Sequence, residues 1–311
     1  MPITMKVVAR RVLTPQIVEF TLGSVDGAEL PSYEPGAHIT VETPSGAMRR
    51  YSLIGAGEHS DSYVIAVKRE PRSRGGSTSM HDKAEIGREL AVEPPENNFP
   101  LKQAPRYLLI AGGIGVTPIY SMASKLSLEG RDFEVIYCSR SAVDAAYLEE
   151  MRQAFGRRLH VHHDGGDPDK AYDFWDHFAE IRNMHVYCCG PKPMMEAIRS
   201  VSGHWPEGRV NFEDFKPVEV IRADDVPFEV ELARSGRIIT VPADKSILEA
   251  AREAGVKTTS SCESGTCGSC KCRLLAGEAD HRDMVLMDEE KHDFVMICVS
   301  RVKSGGLVID L

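Results

Sequence analysis

The sequence predicts a multidomain protein: an antiparallel β-barrel, then an α/β domain built on a parallel sheet, then a small α+β domain. Three observations carry that reading. Residues 1–102 hold short alternating runs rich in Val, Ile and Thr, separated by turn clusters. From residue 103 the texture changes to apolar strands alternating with helices. Residues 228–311 join a strand hairpin to a capped helix and then crowd cysteines into one loop. A chain of 311 residues is too long for one ordinary core.

In the first segment the runs are "KVVARRVL", "IVEFTL", "HITVET" and "SYVIAVKR", with "YEPGA" and "TPSGA" as turns. Alternation with a period of two is the mark of strands that bury one face. In the second, residues 103–215, "RYLLIAG" is a continuous apolar run of buried-strand type and "TPIYSMASKLSLEG" a helix. "DFEVIYCSR" with "DAAYLEEMRQAF", and "NMHVYCCG" with "KPMMEAIRSV", repeat the scheme. Residues 216–227 lose periodicity and read as a linker. The third segment opens with "FEVELARSGRIITVPA", two strands around a turn. The helix "SILEAAREAG" follows, with Ser246 and Glu249 as a capping box and Gly255 as its stop.

Composition narrows the function. With 42% hydrophobic and 27% charged residues the chain has material for real cores. A net charge of -9 leaves no basic face for nucleic acid. "MPITMKVVARRVL" lacks the long apolar stretch of a secretory leader, and "YLLIAGGIGVTPIYSMAS" is too broken by glycine and proline to span a membrane. A cytoplasmic protein is expected, in which metal or redox roles for cysteine outrank structural disulfides.

Four of the eight cysteines fall within "CESGTCGSCKC", residues 262–272. Cys262, Cys267 and Cys270 are spaced Cys-x4-Cys-x2-Cys, and Cys298 follows after 27 intervening residues. Plant-type ferredoxins hold a [2Fe-2S] cluster with this spacing. The small residues between the thiolates let backbone N–H groups approach the sulfurs. A zinc site would want a second Cys-x2-Cys or a close histidine pair, whereas His281 and His292 lie eleven apart. "CGSC" as a thioredoxin-like pair would need to open a helix after a strand. Cys272 falls outside the ligand pattern and reads as a packing residue.

A cluster takes one electron at a time and most soluble reductants deliver two, so a flavin site is expected. "RRYSLIG" supplies Arg49, Arg50, Tyr51 and Ser52 in an Arg-x-Tyr-Ser arrangement. The strict spacing selects Arg49, but either arginine could reach a phosphate, and Arg50 is the first candidate. Val67 and Lys68 end the run "YVIAVK". Gly75 and Gly76 then precede a helix expected to begin near Ser77, whose free N–H groups make a phosphate site. For the nicotinamide nucleotide, "AGGIGVTP" follows a strand and opens a helix. Its Gly112, Gly113, Gly115, Thr117 and Pro118 would let backbone approach a pyrophosphate. Cys189, Gly190 and Pro191 end a later strand at the same sheet edge, with a buried structural cysteine as the alternative for Cys189.

Taken together, the flavin, nucleotide and C-terminal ferredoxin signatures resemble the phthalate dioxygenase reductase family, vanillate demethylase reductases included, over the whole chain. The resemblance implies a β-grasp, ferredoxin-like third domain. It implies FMN, since relatives with an N-terminal ferredoxin domain use FAD, and NADH as donor. It places Cys189 near the nicotinamide ring and Glu213 and Phe215 of "FEDF" over the flavin, so that Ser52, Cys189 and Glu213 form the catalytic set. Ser139-Arg140 at the end of "FEVIYC" offers no acid for a ribose hydroxyl, and Arg140 leaves NADPH open. The implied partner is a terminal Rieske-type oxygenase served by a monomeric reductase. A haem monooxygenase client and a non-catalytic redox-sensing subunit are the alternatives. Residues 278–293 carry seven acidic and two basic side chains, either to steer a basic acceptor or as a solvated loop.

Overall fold

The computed structural model describes residues 2–25, 27–57, 61–70, 75–215, 222, 224–260, 265 and 268–311. The chain divides into two compact units, residues 1–215 and 216–311. Among the described residues no helix is long and apolar enough to cross a membrane.

The first unit begins with β1 (Ile3–Thr14), β2 (Ile17–Ser24), β3 (Ala37–Glu42), β4 (Met48–Ser52), β5 (Ser62–Lys68), helix α1 (Gly76–Lys83), β6 (Glu89–Val92) and β7 (Glu96–Asn97). These strands pair antiparallel in the order β4-β3-β6-β1-β2-β5, with β7 on β3. The two ends of the path meet at a Leu53–Ile65 bridge, and Ile54 N–H donates to Val64 O at 2.9 Å. Closure makes a barrel. The period-two residues Val18, Phe20, Leu22, Tyr63, Ile65 and Val67 fill its core with Ile39 and Val41.

The same unit continues with β8 (Arg106–Gly112), α2 (Val116–Leu128), β9 (Asp132–Ser139), α3 (Leu148–Phe155), β10 (Leu159–His163), α4 (Trp175–Phe178), β11 (His185–Cys189), α5 (Lys192–Ser202) and β12 (Val210–Glu213). All five strands are parallel, in the order β10-β9-β8-β11-β12. Leu109, Val135 and Tyr187 pack on one face and Leu108, Ile110, Ile136 and Val186 on the other. That double burial explains the continuous apolar runs. The order reverses between β8 and β11, which makes their carboxyl ends the switch point where such sheets bind ligands. Helix α3 starts later than its sequence run suggests. Tyr147, at φ 61 the one non-glycine residue in the left-handed region among those described, breaks the run. Its hydroxyl donates to Glu19 Oε2 of the barrel at 2.8 Å, and Ser121 Oγ of α2 donates to Leu53 O at 2.7 Å.

The second unit contains β13 (Phe228–Leu232), β14 (Arg237–Val241), α6 (Ile247–Glu253), β15 (Lys271–Asp280), β16 (Phe294–Met296) and β17 (Arg301–Ile309). Its sheet runs β14-β13-β17-β15-β16, with β13 and β17 parallel and the other pairs antiparallel. The capping box forms at both its bonds, Ser246 Oγ accepting from Glu249 N–H and Glu249 Oε2 from Ser246 N–H. Gly255, at φ 78, stops the helix. Part of the segment read as linker is pinned here. Arg282 donates to both Asp225 oxygens at 2.6 and 2.8 Å, and Arg301 donates to Val226 O at 2.9 Å.

Candidate functional site

Strand alternation sorts the "RRYS" residues onto two faces of β4. Arg49 and Tyr51 lie opposite Val41 and Ile39 of β3, and Arg50 and Ser52 opposite Thr40 and His38. Arg49 runs along the start of α1, where a Cβ added to Gly76 would lie 2.9 Å from its Nε. A side chain there would displace Arg49 from the start of the helix. Gly75 takes the left-handed position ahead of the helix at φ 85. The first turn of α1 has no acidic residue and no side-chain cap, which leaves its positive N-terminal end beside a guanidinium.

The neighbouring residues sort differently. Ser77 Oγ accepts from Glu70 N–H at 3.1 Å, Lys68 pairs with Glu70 at 2.9 Å, and Val67 is a core residue. Arg50 turns away from α1, with Nη1 3.5 Å from His38 Nε2 and its charge acting on Glu213. Thus the two arginines, of which the sequence reading put Arg50 first, have different surroundings, and it is Arg49 that runs along the start of α1.

Tyr51 Oη, Ser52 Oγ and Glu213 Oε2 are buried and have no hydrogen-bond partner. Each such atom costs roughly 1–3 kcal/mol. The Tyr51 side chain stays partly exposed while its hydroxyl is enclosed. Burial pushes the Tyr51 phenol up, opposed by Arg49. It raises the Glu213 carboxyl to about 8, opposed by Arg50, so Glu213 is mostly protonated at neutral pH. Cys189 sits opposite Glu213 in the β11–β12 register, and burial followed by that carboxyl pushes its thiol well up. Phe215 follows, 40% exposed.

At the switch point the two turns meet backbone to backbone. A Cβ on Gly115 would lie 2.2 Å from Cys189 O, and one on Gly112 2.5 Å from Pro191 Cδ. One on Gly190 would lie 3.0 Å from Gly112 Cα. Three of these glycines are therefore required by turn-on-turn packing. Gly113, at φ 54, has nothing within 4 Å of its Cβ position. Thr117 and Pro118 are buried in α2, with Thr117 Oγ1 donating to Ile114 O at 3.1 Å. Burial pushes the Cys188 and Cys138 thiols up to about 12, as core cysteines.

The ends of β9 and β10 supply an acid that sequence reasoning missed. Asp164 N–H donates to Ser139 O at 3.2 Å and Gly165 N–H to Arg140 O at 2.9 Å, which brings the Asp164 backbone alongside Ser139 and Arg140, and Asp164 Oδ1 accepts from Gly166 N–H at 2.7 Å. The Ser139 hydroxyl is already engaged by His163 Nδ1 at 2.9 Å and Ser141 O at 3.2 Å. Arg140 is exposed, its stem 3.7 Å from the Cβ position of Gly166.

In the second unit, Cys262 and Cys267 lie outside the described residues. Cys270 and Cys298 are 4% and 1% exposed, and Ile297 N–H donates to Cys270 O at 3.4 Å, which brings the chain before Cys298 against Cys270. Gly265 and Gly268 adopt φ 72 and 83. A Cβ on Gly265 would lie 2.8 Å from Val299 and 3.2 Å from Asp283 Cα, so the loop is pressed close to its cover. These residues fit a thiolate-held cluster. Cys272 Sγ bonds Asp310 O at 3.5 Å and packs in the core, as expected for a residue outside the ligand set.

Residues 230–303 match the family model for the 2Fe-2S iron-sulfur cluster binding domain, and residues 109–200 match the oxidoreductase NAD-binding domain. Over 311 residues the chain is 47% identical to the phthalate dioxygenase reductase of Burkholderia cepacia, across 99% of this chain and 97% of the relative. The chain belongs to the phthalate dioxygenase reductase family. A solved phthalate dioxygenase reductase, described as a modular structure for electron transfer from pyridine nucleotides to [2Fe-2S], superposes with a TM-score of 0.90 at 46% identity. The match covers 100% of this chain and 98% of that one. An intact type IV self-sufficient cytochrome P450 monooxygenase matches at 33% identity and TM-score 0.74, covering 100% of this chain and 41% of that one. Like other phthalate dioxygenase reductase family members, the protein is an iron–sulfur oxidoreductase of an oxygenase system.

Proposed function

We propose that this reductase draws electrons from NADH, passes them through FMN to a [2Fe-2S] cluster held by Cys262, Cys267, Cys270 and Cys298, and delivers them to a terminal Rieske-type oxygenase. The reading is carried by the three enclosed, unpartnered polar atoms of Tyr51, Ser52 and Glu213 in the unit that also holds the switch-point edge. A bound flavin supplies the exchange between two-electron and one-electron chemistry.

The chain's own residues define the rest. Arg49 and the N–H groups at the start of α1 bind the single phosphate of FMN, because guanidinium and helix end together balance a dianion. Tyr51 offers a partly exposed ring for a planar group and Ser52 a hydroxyl for its polar edge. Glu213, protonated at neutral pH, donates a hydrogen bond from the carboxyl oxygen that lacks a partner. A neutral Cys189 beside it adds no charge to the place where the nicotinamide would lie. Asp164 accepts the ribose hydroxyl and repels a 2'-phosphate, which favours NADH over NADPH and outweighs exposed Arg140. Match of the whole chain within a P450 supports a second reading, in which the client is a haem monooxygenase.

The test is Cys298→Ser. Serine oxygen is a poor substitute for soft thiolate, so the cluster should be lost or labile. NADH oxidation with ferricyanide, which takes electrons from flavin, should persist, and reduction of cytochrome c should fall by at least about tenfold. Persistence of both activities would show that electrons leave from flavin. Loss of both would show that the second unit is needed for the first to fold.

A further inference from the structure

The segment that covers the cluster loop displays an unusual pair of side chains. Met284 and Met287 are 66% and 68% exposed, on either side of buried Leu286. The segment is tied to the loop along its length. Met284 N–H donates to Gly265 O at 2.9 Å, Val285 Cγ1 lies 3.5 Å from the Cβ position of Gly268, and Glu290 accepts from Lys271, the neighbour of Cys270. Its shape is fixed from within. Asp283 Oδ2 accepts from Val285 and Leu286 N–H at 3.1 and 2.8 Å, and Glu290 Oε2 accepts from Met287 N–H at 3.1 Å. Two large apolar side chains therefore stand in water on a braced platform over the cluster loop.

Its surroundings are anionic. Residues 278–293 hold seven acidic and two basic side chains. Of those two bases, Arg282 is buried in ion pairs with Asp225 and Asp280, and Lys291 is paired with Asp288. Four of the acids are paired as well, Glu278 with Lys303, Asp280 with Arg222 and Arg282, Asp288 with Lys291 and Glu290 with Lys271. The negative excess therefore rests on Asp283, Glu289 and Asp293 and favours a basic protein. We propose that Met284 and Met287 form the apolar centre of the docking surface for the electron acceptor, a protein whose own apolar patch is rimmed by basic residues. Methionine suits a transient contact, since its flexible, polarizable thioether adapts to a partner without a fixed fit. A seat on Met284 lies one backbone hydrogen bond from the loop that carries Cys262 and Cys267. The inference rests on the reading that electrons leave through the [2Fe-2S] cluster.

The experiment uses the holoprotein with cytochrome c as the basic protein acceptor and ferricyanide as the non-protein one. Met284→Gln/Met287→Gln should lower kcat/KM for cytochrome c by at least about tenfold, and Met284→Leu/Met287→Leu by less than about twofold. NADH–ferricyanide turnover and NADH-driven bleaching of the cluster, followed by rapid mixing, should be unchanged in both. Added salt should weaken cytochrome c turnover in the parent protein. Unchanged cytochrome c kinetics in the glutamine pair would overturn the proposal while Cys298→Ser still blocked that acceptor. Slowed cluster bleaching would also overturn it, because the patch would then serve the chain's own flavin unit. Transfer to cytochrome c that survives Cys298→Ser would instead remove the underlying reading.

Discussion

Glu213→Gln should change how stability depends on pH. The Glu213 carboxyl is raised from 4.5 to about 8, first by burial, with Arg50 opposing. Between those two values the folded protein holds a proton that the unfolded chain has lost, so stability falls as pH rises. The contribution is fully present below about 4.5 and is lost as pH climbs through about 8. A shift of this size, at about 1.4 kcal/mol per pH unit, sets an upper bound on the order of 4–5 kcal/mol. Relaxation and water entry reduce it to roughly half. For a unit of this length about 1 kcal/mol moves Tm by roughly 2–4 °C, so wild type should lose on the order of 5–8 °C between pH 5 and 8.5 relative to Glu213→Gln. The assay is differential scanning calorimetry of both holoproteins over that range, with flavin absorbance followed in parallel. Parallel Tm curves would refute the argument, because they would mean that Glu213 ionises like a carboxylate in water.

Other changes have equally direct readouts. Arg49→Ala should release flavin on dialysis, by loss of a charge-assisted phosphate bond of about 1.5–3 kcal/mol, while Arg50→Ala retains it; the reverse order would move the phosphate to the Arg50 face. Asp225→Ala should strand buried Arg282 and Arg301 and cost about 3–5 kcal/mol, seen as a lower melting transition of the cluster-bearing unit with flavin release unaltered. In the parent protein, Arg282 holds the Asp225 carboxyl down at about 2, so that network's contribution persists at neutral pH and should be lost as pH falls from about 4 toward 2.

Much of this was legible in the sequence where ligands are local. Three cluster cysteines share one loop, and their spacing is itself the geometry of the site. The flavin signature was half legible. "RRYS" names the residues, but which arginine reaches the start of α1 depends on the face of β4 that meets Gly76. Strands β10 and β12 were missed for a physical reason. Both are edge strands, and "LHVHH" and "VNFE" carry polar residues that a buried central strand would exclude. Missing β10 hid Asp164, which reaches Ser139 only through parallel pairing. The glycines of "AGGIG" were read as room for a ligand, yet contact between two turns far apart in sequence claims Gly112 and Gly115. The network of Asp225, Arg282 and Arg301 joins distant segments in the same way, and no local pattern announces it.

The cost of function can also be located. Among the described residues, buried side-chain polar atoms without a partner occur on Tyr51, Ser52, His185, Glu213, His281 and Asp283. Three of these, on Tyr51, Ser52 and Glu213, lie where flavin is proposed to bind. Two others, His281 and Asp283, lie 3.8 Å apart, and the Asp283 backbone presses on Gly265 of the cluster loop. A core shaped for stability alone would pair such atoms or replace them with apolar ones, since each forfeits roughly 1–3 kcal/mol. Elsewhere, His185 apart, buried polar groups such as Ser139, Thr117, Ser121, Arg282 and Arg301 are bonded. Polar atoms without a partner in the chain are therefore concentrated at the two places where redox groups are proposed to sit. A flavin, polar along one edge, would supply partners at the first of them. Filling that site should raise the Tm of the first unit as flavin is titrated into stripped protein, and Ser52→Ala should shrink the gain while raising the melting of the stripped form, since it removes an enclosed hydroxyl without a partner.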